Sequence, residues 1–365
     1  MHNQKDQDRC FECDFLYIGD GFDNTVKTFD AETGWFLGSF VASGNNGLNG
    51  PRGLIFDHEG NLLVTNQKVN EGSGNVLKYN GQTGEFLGEI VKSDATGAPF
   101  APRGIVLSKH NILFVADLVI EENGQHGEVR MYKYNGNTAT FIRNLAHPPS
   151  GEFFPRSVVI GPDGYLYVSI RNNPNTVEGQ LGGSVVRYNS KTGAFGGVFI
   201  SPFSDLNRPE GLVFGPDGNL YITSFRRDAS DTDKILIFDG RKGKLLEKID
   251  LDVVGQPRAF AQAILFGPDG KLFVPINGPS DPDTGAPAGQ YTGSVRRYNV
   301  HHKTYDVFVP PAMSGGPLGM PWYLTFGNTD PATLAYQCDR EESSDHHHHH
   351  LPHSPYDESS DKSSS

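Results

Sequence analysis

The sequence predicts an all-β chain folded as a six-bladed β-propeller with four antiparallel strands per blade, and three observations carry that expectation. A sixteen-residue stretch recurs: PRGLIFDHEGNLLVTN from Pro51 returns as PRGIVLSKHNILFVAD from Pro102, PRSVVIGPDGYLYVSI from Pro155 and PEGLVFGPDGNLYITS from Pro209. The copies are evenly spaced, with Asp57, Ser108, Gly161, Gly215 and Gly267 separated by 51, 53, 54 and 52 residues, the period of one supersecondary unit in an array. The chain ends also complement one another, with three strands of pattern at the start and one near the end.

Within each repeat the first strand is an apolar run, GLIF, GIVL, SVVI, GLVF or AILF, followed by a tight turn such as DHEG or GPDG. The second strand is LLVT, LFVA, LYVS, LYIT or LFVP. Short apolar runs bounded by Asp-Gly turns are hairpin signals. A third strand ends in Tyr or Phe, as in NVLKYN, VRMYKYN and KILIFD, and a turn such as GQTGE or SKTGA leads to a fourth strand such as FLGEIV. One such meander cannot bury both faces; packing blades radially does, and leaves no long open edge. At the N-terminus FLYIGDG, NTVKTFDAETG and WFLGSFV match strands two, three and four, and PWYLTFGN from Pro321 supplies the missing first strand. The C-terminal strand is therefore expected to close the N-terminal blade. The expected divisions are an extension over 1–14, a propeller over 15–337, and a disordered Ser/Asp/Glu/His-rich tail over 338–365, since that composition cannot bury a core. The tail's His346 to His350 run is of the kind that binds transition metals loosely.

Composition agrees, with 44 glycines and 24 prolines punctuating short apolar runs, as in turn-rich β protein. No run of eighteen apolar residues exists, so no membrane span is expected. The start, MHNQKDQDRCFECDF, has no apolar h-region, which points to a cytoplasmic protein, or to an extracytoplasmic one if the start is incomplete. The net charge of −12 is uneven: 338–365 hold seven acidic against two basic residues and 1–14 four against two, leaving about −5 for the body. A mildly acidic body without a basic stripe argues against nucleic acid as partner. No nucleotide cofactor is expected, and the chain is expected to be a monomer. Cys10 and Cys13 precede a strand rather than opening a helix, which disfavours a redox motif. Pairing of either with Cys338 is expected in an oxidising compartment, and three free thiols in a reducing one.

The phrase P-x-G followed by apolar residues and D-G-N-L-Y-V, with the later Y-N-G-x-T-G-x-F-L, resembles the NHL repeat. The six-blade count is similar to NHL and SMP-30 type propellers. The resemblance spans about residues 15 to 327 and implies the fold; its superfamily hosts lactonases, lyases, amidating lyases and interaction scaffolds, so it does not imply one activity.

In a four-stranded meander, the turns between strands one and two and between three and four open on one face. Here those turns are short, whereas the other face carries the longer loops 66–74, 118–127, 171–183, 225–233 and 277–293. Loops gathered on one face of a rigid scaffold are where binding and chemistry usually reside. The residue after the repeat proline enters the innermost strand from that face, beside the channel. Around the ring it reads Trp322, Arg52, Arg103, Arg156, Glu210 and Gln262. A second ring at the end of strand two reads Asp20, Asn66, Asp117, Ile170, Ser224 and Ile276, with Arg171, Arg226 and Asn277 just beyond. A guanidinium fork suits a carboxylate or phosphate, and a tryptophan offers a flat apolar wall. The first expectation is thus a funnel binding a small polar or anionic ligand, or a peptide, with Trp322, Gln262, Arg171, Arg226, Asn277 and Tyr323 as contacts. The competing reading makes the arginines architectural, bonding carbonyls of the neighbouring blade or pairing with Asp20 and Asp117.

The alternative function is a metal-assisted lactonase, hydrolase or lyase. Glu210 would be ligand or base, and Arg52, Arg103 and Arg156 would stabilise developing negative charge. SMP-30 type hydrolases hold a channel metal with carboxylate and asparagine side chains. That resemblance implies Glu210, Asn66, Asp117 and Asn277 as ligands for calcium or another divalent cation, residue types such a cation accepts. This chain departs from that pattern in surrounding the spot with arginines. The histidine-bound zinc of amidating lyases and the general-base histidine of streptogramin-type lyases have no counterpart, because His58, His110, His126, His147, His301 and His302 fall in turns or loops. Tyr323 and Tyr291 are the remaining acid–base candidates, and a lone tyrosine more often packs. No channel position offers a nucleophile beside a base, which leans toward binding.

Overall fold

The computed structural model describes residues 14–68, 72–118, 126–149, 153–171, 182–278 and 293–337; Cys10, Cys13, Cys338, Tyr291 and the His346 to His350 run lie outside them. The described residues form six four-stranded antiparallel sheets, each paired in chain order except one. That one, blade 1, joins Phe15–Asp20, Thr25–Asp30 and Phe36–Val41 to an innermost strand, Pro321–Phe326, from the far end of the chain. The closing pairs include Leu16 with Phe326 and Ile18 with Leu324, as the end patterns predicted.

The repeated turns explain the repeated hairpins. Gly60, Gly164, Gly218 and Gly270 close the turn between strands one and two at φ 77°, 80°, 77° and 69°, and in the copy that reads SKHN instead, Asn111 takes φ 57°. These are left-handed conformations open to glycine and, at small cost, asparagine. Between strands three and four, the side chains of Asp30, Asn80, Asn135, Asn189 and Asp239 each accept the backbone N–H groups two and three residues on. Such Asx turns satisfy the tip without help from other blades.

Blades pack on one another through the middle of strand two. Tyr17, Tyr167, Tyr221 and Phe273 stand edge-on to Phe56, Phe214, Phe266 and Phe326 of the next blade, with centroids 4.9, 5.1, 5.0 and 5.0 Å apart. Each such pair contributes about 0.5–1.5 kcal/mol beyond its buried area. Near the axis the strands converge on small residues. A Cβ at Gly53 would lie 2.5 Å from the Arg103 carbonyl oxygen, and one at Gly104 2.8 Å from the Ser157 Cα.

The innermost strands differ from the expected regular repeat in two ways. In blades 5 and 6 they shorten to Leu212–Phe214 and Leu265–Phe266, because Arg208 and Phe260, each two residues before the ring position, adopt φ of 45° and 54° and turn the chain out of the ladder. In blades 1 to 4 the ladder is irregular at the ring: Pro51 pairs with Asn66 but Leu54 with Val64, Pro102 with Asp117 but Ile105 with Val115, Pro155 with Ile170 but Ser157 with Ser169, and Pro321 with Asp20 but Tyr323 with Gly19. Arg52, Arg103, Arg156 and Trp322 therefore sit at bulges, which re-aim side chains out of strict alternation.

Candidate functional site

The ring and its neighbours meet at the loop-rich end of the axis. Arg52, Arg103, Arg156, Glu210, Trp322 and Tyr323 are buried, and Gln262, Arg171 and Arg226 are half-buried. Hydroxyls near the end of strand two hold the ring's backbone. Thr65 Oγ1 accepts from Gly53 N at 2.7 Å and donates to Arg103 O at 2.7 Å. Ser169 Oγ likewise accepts from Ser157 N at 3.0 Å and donates to Glu210 O at 2.6 Å, and Thr223 Oγ1 accepts from Gly211 N at 2.8 Å and donates to Gln262 O at 3.4 Å. Sequence reasoning passed over these three residues; their signal was a hydroxyl recurring in VTN, VSI and ITS.

Arg52 is committed. Its Nε donates to Gln67 Oε1 at 2.8 Å and its Nη1 to Gln262 Oε1 at 3.0 Å, while the guanidinium lies 3.0 Å from the Trp322 ring centroid. The other face of that indole rests on Gly21, where any Cβ would overlap the ring. Both faces of Trp322 are thus occupied, and the flat wall expected for a ligand is instead a platform for Arg52. Arg156 Nε and Arg171 Nη1 both approach Glu210 Oε1, at 3.5 and 3.4 Å. Arg103 makes no hydrogen bond or ion pair among the described residues, and its buried Nε, like those of Arg156 and Arg171, has no hydrogen-bond partner. Burial first, then Arg156, pushes the Arg103 guanidinium down to about 10 and that of Arg171 to about 9. Both stay protonated at neutral pH, and the downward direction reflects the burial of each charge first and repulsion by Arg156 second.

The arginines do not pair with Asp20 or Asp117. Asp20 accepts from Lys27 Nζ at 2.6 Å and from the backbone N–H of Gly319 and Met320 at 2.8 and 2.7 Å. Asp117 accepts from Arg130 Nε at 2.7 Å and from Phe100 and Ala101 N–H at 3.0 and 2.7 Å. Asn66 accepts from Asn49 N at 2.7 Å and donates to Gly47 O and Asn75 Oδ1. The polar members of the end-of-strand ring, Asp20, Asn66, Asp117 and Ser224, therefore fasten the linkers that deliver four of the innermost strands. Asn66 and Asp117 spend their oxygens on that task, Asn277 is buried, and Glu210 faces two guanidinium groups. No group of three or more His, Cys, Asp or Glu side chains able to hold a metal occurs among the described residues. Among the described residues the donor set expected for calcium is a poor fit for a cation, because Glu210 faces Arg156 and Arg171.

Below the funnel the axis is blocked. Tyr323 reaches from blade 1 across to blade 4, its hydroxyl donating to Arg156 O at 3.1 Å, and burial pushes its phenol up to about 12. Beneath it lies an apolar chamber of about 30 Å³ lined by Leu54, Ile105, Val158, Leu212, Ile264 and Leu334, room for about one or two waters. Leu334 closes the far end. It belongs to a hairpin, TDPATLAY, that repeats the strand-three-to-four turn: Asp330 Oδ1 accepts from Ala332 and Thr333 N–H, and Leu334 N donates to Asp330 O, as Gly34 N does to Asp30 O. Leu334 stands where that turn has glycine, at φ 55°, a strained conformation for leucine. Pro331 and Ala332 anchor the hairpin by accepting from Leu107 and Ile160 N–H of two blades.

No family model matches the chain, and no curated protein matches it. Among solved structures, it is similar to a putative 6-phosphogluconolactonase from Bacteroides uniformis, at 15% identity and TM-score 0.54, covering 86% of this chain and 99% of that one. The likeness is one of fold. The same holds for hydrazine synthase from Kuenenia stuttgartiensis, at 16% identity and TM-score 0.52 over 78% of this chain and 73% of that chain. A Xanthomonas campestris gluconolactonase aligns at 15% identity and TM-score 0.44 over 76% and 85%. No helix among the described residues is long and apolar enough to cross a membrane.

Proposed function

We propose that the propeller binds a small anionic ligand in the funnel above Tyr323, held by Arg103, Arg156 and Arg171 and bounded by Gln262 and Asn277. The observation that carries the reading is Arg103, a charged side chain 7% exposed with no partner of its own among the described residues. A buried charge without a hydrogen-bonded counter-charge is costly, and an anion supplies what the described residues do not. The bulge that aims Arg103 and the Thr65 hydroxyl that pins its carbonyl mean the site is formed before the ligand arrives. Among the described residues, hydrolysis in the same funnel lacks a matched base: Glu210 is shared by Arg156 and Arg171, and the Tyr323 phenol is held protonated by burial.

Calorimetric titration of the full chain with sulfate, phosphate and small carboxylates at low ionic strength tests this. Binding is expected, with a loss of about tenfold to a hundredfold in Arg103→Gln, the worth of one charge-assisted hydrogen bond. Anion affinity unchanged in Arg103→Gln and in Arg156→Gln would overturn the assignment.

A further inference from the structure

The charge balance of the funnel says more about the ligand than its sign. Five guanidinium groups, Arg52, Arg103, Arg156, Arg171 and Arg208, feel Glu210; Arg208 interacts more strongly with Arg258 and Asp233, which leaves four about the funnel. Arg52's two hydrogen-bond acceptors, Gln67 and Gln262, are neutral amides, so they orient its charge without cancelling it. Glu210 Oε1 stands 3.5 and 3.4 Å from Arg156 Nε and Arg171 Nη1, whereas charge-assisted N–H···O bonds settle at about 2.7–2.9 Å. At these separations Glu210 leaves N–H donors of both guanidinium groups unused, including the buried Nε of each. Asp117, the next carboxylate, is saturated by Arg130 and two backbone N–H groups. Three positive charges therefore remain without a negative one among the described residues.

Resting on the reading of the funnel as an anion site, we infer that its ligand carries a compact dianionic group, a phosphoryl or a close pair of carboxylates, seated between Arg103, Arg156 and Arg171 directly above Tyr323. A neutral ligand leaves all three charges uncompensated and a monoanion leaves two. A dianion leaves one, which Arg52 keeps against the Trp322 face, where the indole's negative π-cloud is suited to it. The position is set by the blades: the buried Nε groups without a hydrogen bond belong to blades 3 and 4, while Arg52 is tied toward Gln262 and Trp322. Depth is set by Tyr323, since the chamber of about 30 Å³ beneath it admits no such group. The rest of the ligand extends over Gln262 and Asn277, where amides replace guanidinium groups.

Matched pairs differing by one charge read this directly: methyl phosphate against dimethyl phosphate, and succinate against monomethyl succinate, titrated calorimetrically into the full chain at pH 8 (about two units above the second phosphate ionisation). The dianion of at least one pair is expected to bind about tenfold or more tighter than its monoanionic partner, and which pair does so identifies the group. The preference is expected to fall below about threefold in Arg103→Met and to persist in Arg241→Gln, an exposed arginine of a strand-three-to-four turn. Equal affinity within both pairs overturns the dianion inference while leaving the anion site standing. Failure of all four compounds to bind overturns both.

Discussion

Arg103 concentrates the tension between stability and binding. Its guanidinium is buried, pushed down by desolvation and by Arg156, and without a hydrogen-bond partner at Nε. For a base with a lowered folded value, the unfolded chain binds more protons between that value, about 10, and the higher ordinary value of a free arginine. The folding cost is therefore fully present below about pH 10 and is relieved only as pH rises through that window. At neutral pH, Arg103→Met should then stabilise the ligand-free protein by about 1–3 kcal/mol, read as a rise of a few degrees in Tm, while weakening anion binding by about tenfold to a hundredfold. A fall in Tm would mean that the arginine is architectural after all. Trp322 teaches the complementary lesson: an aromatic at a channel position read as a ligand wall, but Gly21 on one face and Arg52 on the other had already claimed it.

Local elements made in the same way are used for different ends. The Asx turn that closes each outer hairpin reappears at Asp330 as the stopper of the axis, with Leu334 replacing glycine at φ 55°. A left-handed leucine costs about 1–2 kcal/mol, offset by packing against the inner strands of several blades. Leu334→Gly should relieve the backbone and forfeit the packing, leaving stability within about 1–2 kcal/mol of the parent. Because Tyr323 separates the chamber from the funnel, anion affinity in that variant should stay within about twofold; a larger loss by calorimetry would show that the two compartments communicate. The strand pattern itself was readable residue by residue, since apolar alternation and Gly or Asn turns are local properties. The bulges beside Arg52, Arg103 and Arg156 were not, because a register slip depends on the partner strand and leaves no mark in a run such as PRGLIF.

The ring as a whole depends on Pro321–Phe326 returning to pair with Phe15–Asp20. Its loss would remove Trp322, Tyr323 and Phe326 together and expose the inner edge of blade 1 between two neighbours. A chain ending at Met320 should therefore fail to unfold cooperatively, showing early protease cleavage and a broad circular-dichroism transition. A sharp transition with parental protease resistance would show that the clasp is dispensable. The exposed outer strands, with Leu37, Leu87 and Val307 facing out, do not enter into closure, which pairs the innermost strand of blade 1 with its second strand.

The amino-acid sequence by itself determined six blades, their phase, the closing strand and the membership of the ring, because each follows from one short motif repeated at a nearly constant period. It also placed Arg52, Arg103, Arg156 and Glu210 at the funnel. Only the tertiary structure decided what each does there: Arg52 spent on Gln67, Gln262 and Trp322, Arg156 and Arg171 sharing Glu210, Asn66 and Asp117 fastening linkers, and Arg103 left over. The reason is physical. Periodicity specifies which residues arrive at the axis, whereas hydrogen-bond partners there come from blades as far apart in sequence as Arg52 and Gln262. Which charges are cancelled is settled by distances of a few ångströms that no single repeat contains.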